Sequence, residues 1–294
     1  MAWGASVFFN WRFVGTAFEP RSVSALRRRP PPSRARFLRR TALTVVVCYL
    51  LLDLMDASAD SDVTARFYRP DQVGLLSRLS DVSAQELLMR FFAALGLGAG
   101  LVSVQRGVYC VVAFVCVAAG VHAPADWPPF NGPFGSIYSL RNLWSVFWHQ
   151  TNTHKLVSIS NFILGDLLRL PRSGRPARFL RLCIVFLVSG LFHVAIDVSS
   201  GIDARSSGAL RFFAVQPLGI LAEDLFRSAL RSLGRPAGLR PSRLERCAGA
   251  LWVALWMTWV APEYLYPILN ATGSGDKGVV PVSIIGAVRH HLLD

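Results

Sequence analysis

Between Thr41 and Leu269 the chain gathers its apolar residues into continuous blocks rather than amphipathic stripes, and the blocks approach the length of a bilayer crossing. At about 20 apolar residues per spanning helix, candidate segments lie at Leu87–Val104, Val108–Ala123, Phe179–Val198, Leu210–Phe226 and Ala248–Leu269, with a shorter one at Thr41–Met55. The last of these follows Arg39-Arg40 and ends between Asp53 and Asp56, as a tilted or buried helix would. The chain is 52% hydrophobic with a mean hydropathy of +0.40 over 294 residues, too apolar for an ordinary water-soluble domain. The expected fold is therefore all-α, a polytopic bundle of about six hydrophobic segments. Residues 1–40 read as a basic cytosolic segment and 41–294 as a single membrane-embedded domain. Gly96, Gly98 and Gly100 provide small residues that let helices approach closely in lipid.

A formal charge of +13 raises nucleic acid as a partner, and eight arginines at 21, 27, 28, 29, 34, 36, 39 and 40 are its best support. A basic run beside an apolar segment is, however, what the positive-inside rule produces, and no nucleic-acid-binding motif accompanies it. Membrane lipid is the expected partner. The basic loops 169–178 and 227–246 are expected to face the cytosol for the same reason. The sequon Asn270-Ala271-Thr272 follows the last apolar segment and makes Asn270 a glycosylation site if the end of that segment faces the lumen, which agrees with a cytosolic basic loop before it. Cys48, Cys110, Cys116, Cys183 and Cys247 never approach metal-ligand spacing and read as small buried hydrophobes, so no metal site is expected. Met1–Glu19 has no continuous apolar core and does not read as a cleavable signal peptide.

His193 lies deep in the apolar stretch Cys183–Asp197, and ionisable groups in such places are costly and usually functional. A hydrocarbon-like setting favours the uncharged ring, which can accept a proton. Ser189 and Asp197 share its helical face. Side chains on one face project nearly in parallel, so a serine nucleophile activated by His193 is disfavoured, and Ser189-Gly190 reads as a packing pair. Asp197 is the candidate support for the imidazole. His149 stands in the aromatic segment Trp144–Gln150, next to Gln150 and near Asn142, Asn152 and His154. It reads either as an interfacial residue or as a second group in a polar, aromatic-walled pocket.

The phrases Ser139-Leu140-Arg141-Asn142-Leu143-Trp144, Phe147-Trp148-His149-Gln150, His154-Lys155, Ser189-Gly190-Leu191-Phe192-His193 and Gln216-Pro217-Leu218-Gly219-Ile220, with Pro129-Phe130 and Glu223-Asp224, resemble the wax-synthase-like branch of the membrane-bound O-acyltransferases. Within that branch the resemblance is to fungal acetyltransferases of terpenoid and meroterpenoid pathways. It covers roughly Trp3 to Leu269. Family members generally carry further hydrophobic helices before the phrase matched here by Trp11–Thr16, near which this chain begins, and the glycine expected after Arg12 is replaced by Phe13.

The resemblance implies transfer of an acetyl group from acetyl-CoA, a co-substrate rather than a bound cofactor, to the hydroxyl of a lipophilic alcohol in a multi-pass protein of the endoplasmic reticulum. His193 matches the family's intramembrane histidine, the general base, and His149 the second position, which would polarise the thioester carbonyl or bind the oxyanion. Coenzyme A carries phosphates, for which Arg141, His154 and Lys155 are candidates, with Arg172 and Arg175 in the adjoining loop. Trp144, Trp148, Gln216 and Glu223 are expected to line the acceptor cavity, although Gln216, Glu223 and Asp224 also suit a role in fastening helices. Two further functions stay in view: long-chain wax-ester synthesis, and an inactive scaffold of the same ancestry. A transporter would predict inverted halves and broken helices, and the sequence displays neither.

Overall fold

The computed structural model describes residues 10, 12–20, 23–25, 30–148, 151–171, 173–234, 236, 238–272 and 278–293. Most of the described residues are helical, with no strand among them. The longer helices are α1 (Arg34–Ala57), α2 (Ser61–Phe67), α3 (Ala84–Ala118), α4 (Thr153–Phe162), α5 (Arg175–Ser199), α6 (Ala209–Ser232), α7 (Arg243–Thr272) and α8 (Ile284–Leu293). The chain divides into two compact units, one of residues 27–130 and 265–294, the other of residues 1–26 and 131–264.

In the first unit, α1 packs along α3 through the small residues anticipated there. A Cβ placed on Gly100 would meet the Met55 methyl at 3.2 Å and one on Gly96 would meet it at 3.8 Å, whereas Gly98 faces open space. The expected spans Leu87–Val104 and Val108–Ala123 are one continuous 35-residue helix, so a single crossing replaces the two. Gln105 and Arg106, where a break was expected, are good helix formers, and one glycine costs a helix only about 1 kcal/mol. Gly107 also packs closely, its Cβ position lying 3.5 Å from the Cys48 Cβ. At about 52 Å by helical rise, α3 exceeds the roughly 30 Å hydrocarbon core. Arg34 closes its far end, donating to the carbonyls of Val117 at 3.2 Å and Ala118 at 2.9 Å.

Two charged anchors hold this unit together. Asp53, 0% exposed, accepts from the Ser283 hydroxyl at 2.6 Å and from the backbone N–H groups of Ile284 and Ile285 at 2.9 and 3.0 Å, so it caps α8 from the end of α1. Arg90, also 0% exposed, pairs with Glu86 at 3.1 Å, donates to the carbonyls of Gln72 and Val73, and lies over the ring of Tyr266.

Among the described residues, α3 and α5 are long and apolar enough to cross a membrane, and α1 with α2, bent by 76°, adds a third crossing if the pair is one span. The expected six segments therefore reduce to two or three by length and composition, the segments of α6 and α7 not reaching that standard. In α6, Arg211, Glu223, Asp224 and Arg227 interrupt the apolar character. Leu87, Leu88, Phe92 and Leu95 on α3 and Leu187, Leu191 and Phe192 on α5 are exposed. A helix that turns large apolar side chains outward is solvated by lipid, so the protein is an integral membrane protein.

In the second unit, α5, α6 and the part of α7 up to Tyr264 approach through glycines. A Cβ on Gly190 would lie 3.2 Å from both Leu210 Cα and Phe213 Cβ, and one on Gly219 would lie 2.7 Å from the Trp256 ring. At Gly208 it would fall 1.4 Å from the Glu263 carbonyl oxygen, a position open to glycine alone. Before α4, the turn Leu143–Phe147 adopts π geometry, closed by Trp148 N–H donating to Leu143 at 2.7 Å. Of the cysteines, Cys48 is buried as expected, whereas Cys247, near the start of α7, is exposed.

Candidate active site

Close packing at Gly190 brings His193, one turn further along α5, over the side chain of Phe213 on α6. The two rings lie 4.4 Å apart and tilted by 33°, and Tyr264 presents its ring to the imidazole at 6.1 Å and 88°. His193 Nδ1 lies 2.7 Å from the Ser189 carbonyl oxygen. A carbonyl only accepts, so Nδ1 carries the proton, and in the uncharged ring Nε2 keeps its lone pair. This is the tautomer a general base requires, fixed by a backbone atom of the same helix. Ser189 thus serves through its carbonyl.

Asp197, expected to support the imidazole, makes its hydrogen bonds elsewhere. The carboxylate is 4% exposed and accepts from the Ser207 hydroxyl at 2.6 Å and from the Tyr264 hydroxyl at 3.4 Å. It also holds Tyr264, whose ring borders the imidazole. Neither Ser207 nor Tyr264 was apparent from the sequence, because both lie in stretches with no motif of their own; the one available signal was an aromatic hydroxyl beside Glu263 in an apolar segment.

Trp144 stands at the edge of the same aromatic floor, 6.0 Å from Phe213, 5.6 Å from Phe186 and 5.8 Å from Trp148. Its indole N–H donates to Gln216 Oε1 at 3.3 Å, and that oxygen also accepts from Trp256 at 3.2 Å, while Gln216 Nε2 donates to Phe212 O at 2.9 Å. Gln216 is 0% exposed. It clamps helices rather than lining a cavity, because its acceptor and a donor are already engaged. Glu223, likewise expected in a cavity wall, accepts from the backbone N–H of Leu140 at 2.5 Å, from Arg141 N–H at 3.3 Å and from Trp252 at 3.1 Å. It caps the short helix Leu140–Asn142 with a charge, as orphan N–H groups favour.

Among the cations assigned to coenzyme A, Arg141 bridges to Asp224, both side chains being partly exposed. The ring of His154 meets Phe13 and Phe18, each at 5.1 Å, and Lys155 and Arg175 are exposed. Asn142 is partly buried, its backbone N–H donating to Ser139 Oγ at 3.1 Å. His149, Gln150 and Arg172 lie outside the described residues. Asn270 sits in the last turn of α7 and its amide nitrogen donates to Tyr68 O at 2.7 Å and Tyr266 O at 2.8 Å. In the folded chain the nitrogen a glycan would use is thus held by two carbonyls. A groove lined by Arg211, Val215, Trp259, Val260 and Glu263 also lies between α6 and α7, and the helical period puts Arg211 and Val215 on the face of α6 away from Phe213.

Residues 127–215, which include Arg141, Trp144 and His193, match the pattern of the membrane bound O-acyl transferase family. The acetyltransferase aurG of Calcarisporium arbuscula is 35% identical over 92% of this chain and 66% of its own length, so the chain spans just under two thirds of that relative. The acetyltransferase ataH of Aspergillus terreus is 33% identical, over 92% of this chain and 90% of the relative. The acetyltransferase pyr8 of Aspergillus fumigatus is 31% identical, over 98% of this chain and 68% of the relative. No solved structure gives a significant match. The chain belongs to the membrane bound O-acyl transferase family. It is by that membership an acyltransferase, similar to fungal acetyltransferases.

Proposed function

We propose that the protein transfers an acetyl group from acetyl-CoA to a hydroxyl of a lipophilic secondary metabolite, a terpenoid or meroterpenoid, in the membrane of the endoplasmic reticulum. The observation that carries this reading is the bond from His193 Nδ1–H to Ser189 O, which leaves Nε2 as the proton acceptor in an apolar setting. An alcohol becomes a competent nucleophile as its proton leaves. His193 Nε2 takes that proton while the alcohol oxygen attacks the thioester carbonyl carbon. The carbon–sulfur bond then breaks, the thiolate of coenzyme A departs, and the imidazolium returns the proton to it. No acyl-enzyme is required, since a thioester is already activated.

The resemblance assigns His149 to the thioester carbonyl or its oxyanion. With Arg141 engaged by Asp224, His154, Lys155, Arg172 and Arg175 remain as candidates for the phosphates. The names of the relatives support an acetyl donor over a long-chain one. Microsomes expressing the chain, supplied with labelled acetyl-CoA and an extract of hydroxylated terpenoids, are expected to form a labelled ester that is lost with His193→Ala at matched protein level. Equal product from both proteins would remove the proposed base, and preference for long-chain acyl-CoA would favour wax-ester synthesis.

A further inference from the structure

Asn131 is 6% exposed, and neither its amide nitrogen nor its amide oxygen meets a hydrogen-bond partner among the described residues. Buried primary amides nearly always have partners, and one left empty at both ends disfavours the protein as it stands. Its place is tightly fixed. Gly132 N–H donates to Phe147 O at 3.0 Å, and a Cβ on Gly132 would fall 2.3 Å from Val146 O, so the backbone beside Asn131 is pressed against the end of the π turn Leu143–Phe147. The Phe134 ring then packs on Phe147 at 5.1 Å. That same turn carries Trp144, whose ring meets Phe213 beneath His193. A vacant donor and a vacant acceptor, side by side and out of water beside the turn that carries Trp144, suit an uncharged ligand that brings both groups.

We propose that Asn131 binds the pantetheine arm of the acyl-CoA, an inference that rests on the acyl-CoA reading above. The other candidate ligand groups fit less well. Phosphates and the thioester carbonyl only accept, which leaves the Asn131 oxygen empty, and the hydroxyl of the acceptor alcohol is the group presented to His193. The pantetheine arm carries two secondary amides and a hydroxyl, so it can accept from Nδ2 and donate to Oδ1, and it has no charge to desolvate.

The test is equilibrium binding of coenzyme A and of S-acetylpantetheine, which lacks the nucleotide phosphates, to the detergent-solubilised full chain, alongside thermal unfolding without ligand. Asn131→Leu is expected to unfold at or above the wild-type temperature, since it removes an unsatisfied amide, yet to bind both probes about thirtyfold more weakly, the effect of two lost ligand hydrogen bonds. In turnover its KM for acetyl-CoA rises while kcat is retained. His193→Ala is expected to bind both probes normally. Wild-type affinity in Asn131→Leu would overturn the proposal, as would a raised KM for the alcohol in place of acetyl-CoA. If leucine does not fold, Asn131→Ala decides: unfolding there as well shows that the fold itself needs the amide, which also overturns the proposal. A wild-type chain that binds coenzyme A without transferring acetyl refutes the transferase reading and spares this one, whereas no binding of either probe refutes both.

Discussion

Gln216→Leu is expected to weaken the fold far more than it alters kinetics. The wild-type Oε1 accepts indole N–H groups from Trp144 and Trp256 at 3.3 and 3.2 Å, within a side chain that is 0% exposed. Leucine leaves both donors without that acceptor. A buried orphan donor costs about 1–3 kcal/mol. Trp256 is 7% exposed and bears the full penalty, whereas Trp144 is only partly buried and bears less, so the expected loss is about 2–4 kcal/mol. Reversible unfolding in mixed micelles, read by tryptophan fluorescence, measures this. Trp256→Phe provides the control, because in the Gln216→Leu background it removes a donor that is already orphaned. It should therefore cost about 1–3 kcal/mol less there than in the wild type. If Gln216→Leu unfolds like the wild type and raises KM for the acceptor alcohol, the side chain lines a cavity and the clamp argument is wrong.

Three other outcomes follow from the same contacts. Asp197→Asn is expected to destabilise the fold by about 1.5–3 kcal/mol, the worth of a hydrogen bond to a charged group, and to lower the transfer rate less than about tenfold, because the carboxylate meets Ser207 and Tyr264 instead of the imidazole. A near-complete loss of kcat in folded protein would restore a direct Asp–His role. Gly208→Ala should lower the unfolding temperature sharply, since its Cβ would lie 1.4 Å from the Glu263 carbonyl oxygen; a wild-type melting curve would contradict the close approach of α6 and α7. Asn270→Gln should leave electrophoretic mobility unchanged in a eukaryotic host, because the wild-type amide nitrogen is already engaged by Tyr68 and Tyr266. A downward shift in that variant would establish the glycan.

Local chemistry was legible along the chain, and long-range partnership was not. The segment Phe179–Val198 announced α5 because its apolar run is uninterrupted, and His193 stood out against it. The Gln105-Arg106-Gly107 interruption looked like the end of a span, yet polarity alone does not stop a helix whose residues favour one. Gln216 and Glu223 read as polar groups near a cavity because the partners that saturate them, Trp256 and the backbone of Leu140, are remote in sequence. Tyr264 and Ser207 were invisible for the same reason. Asn131 sits in a Pro- and Gly-rich stretch that suggests an exposed loop, and only packing against the π turn buries it. The Glu86–Arg90 pair had the helical spacing of an ion pair, but spacing gives no hint that Arg90 is wholly enclosed.

The most direct measurement is the single-turnover rate of acetyl transfer by His193→Ala, in protein shown to be folded and to bind coenzyme A as the wild type does. Removal of a general base predicts a fall of about 10²-fold or more. Ester formation at the wild-type rate would mean that another group takes the proton, and that the bond between His193 Nδ1 and Ser189 O only holds a structural ring in place.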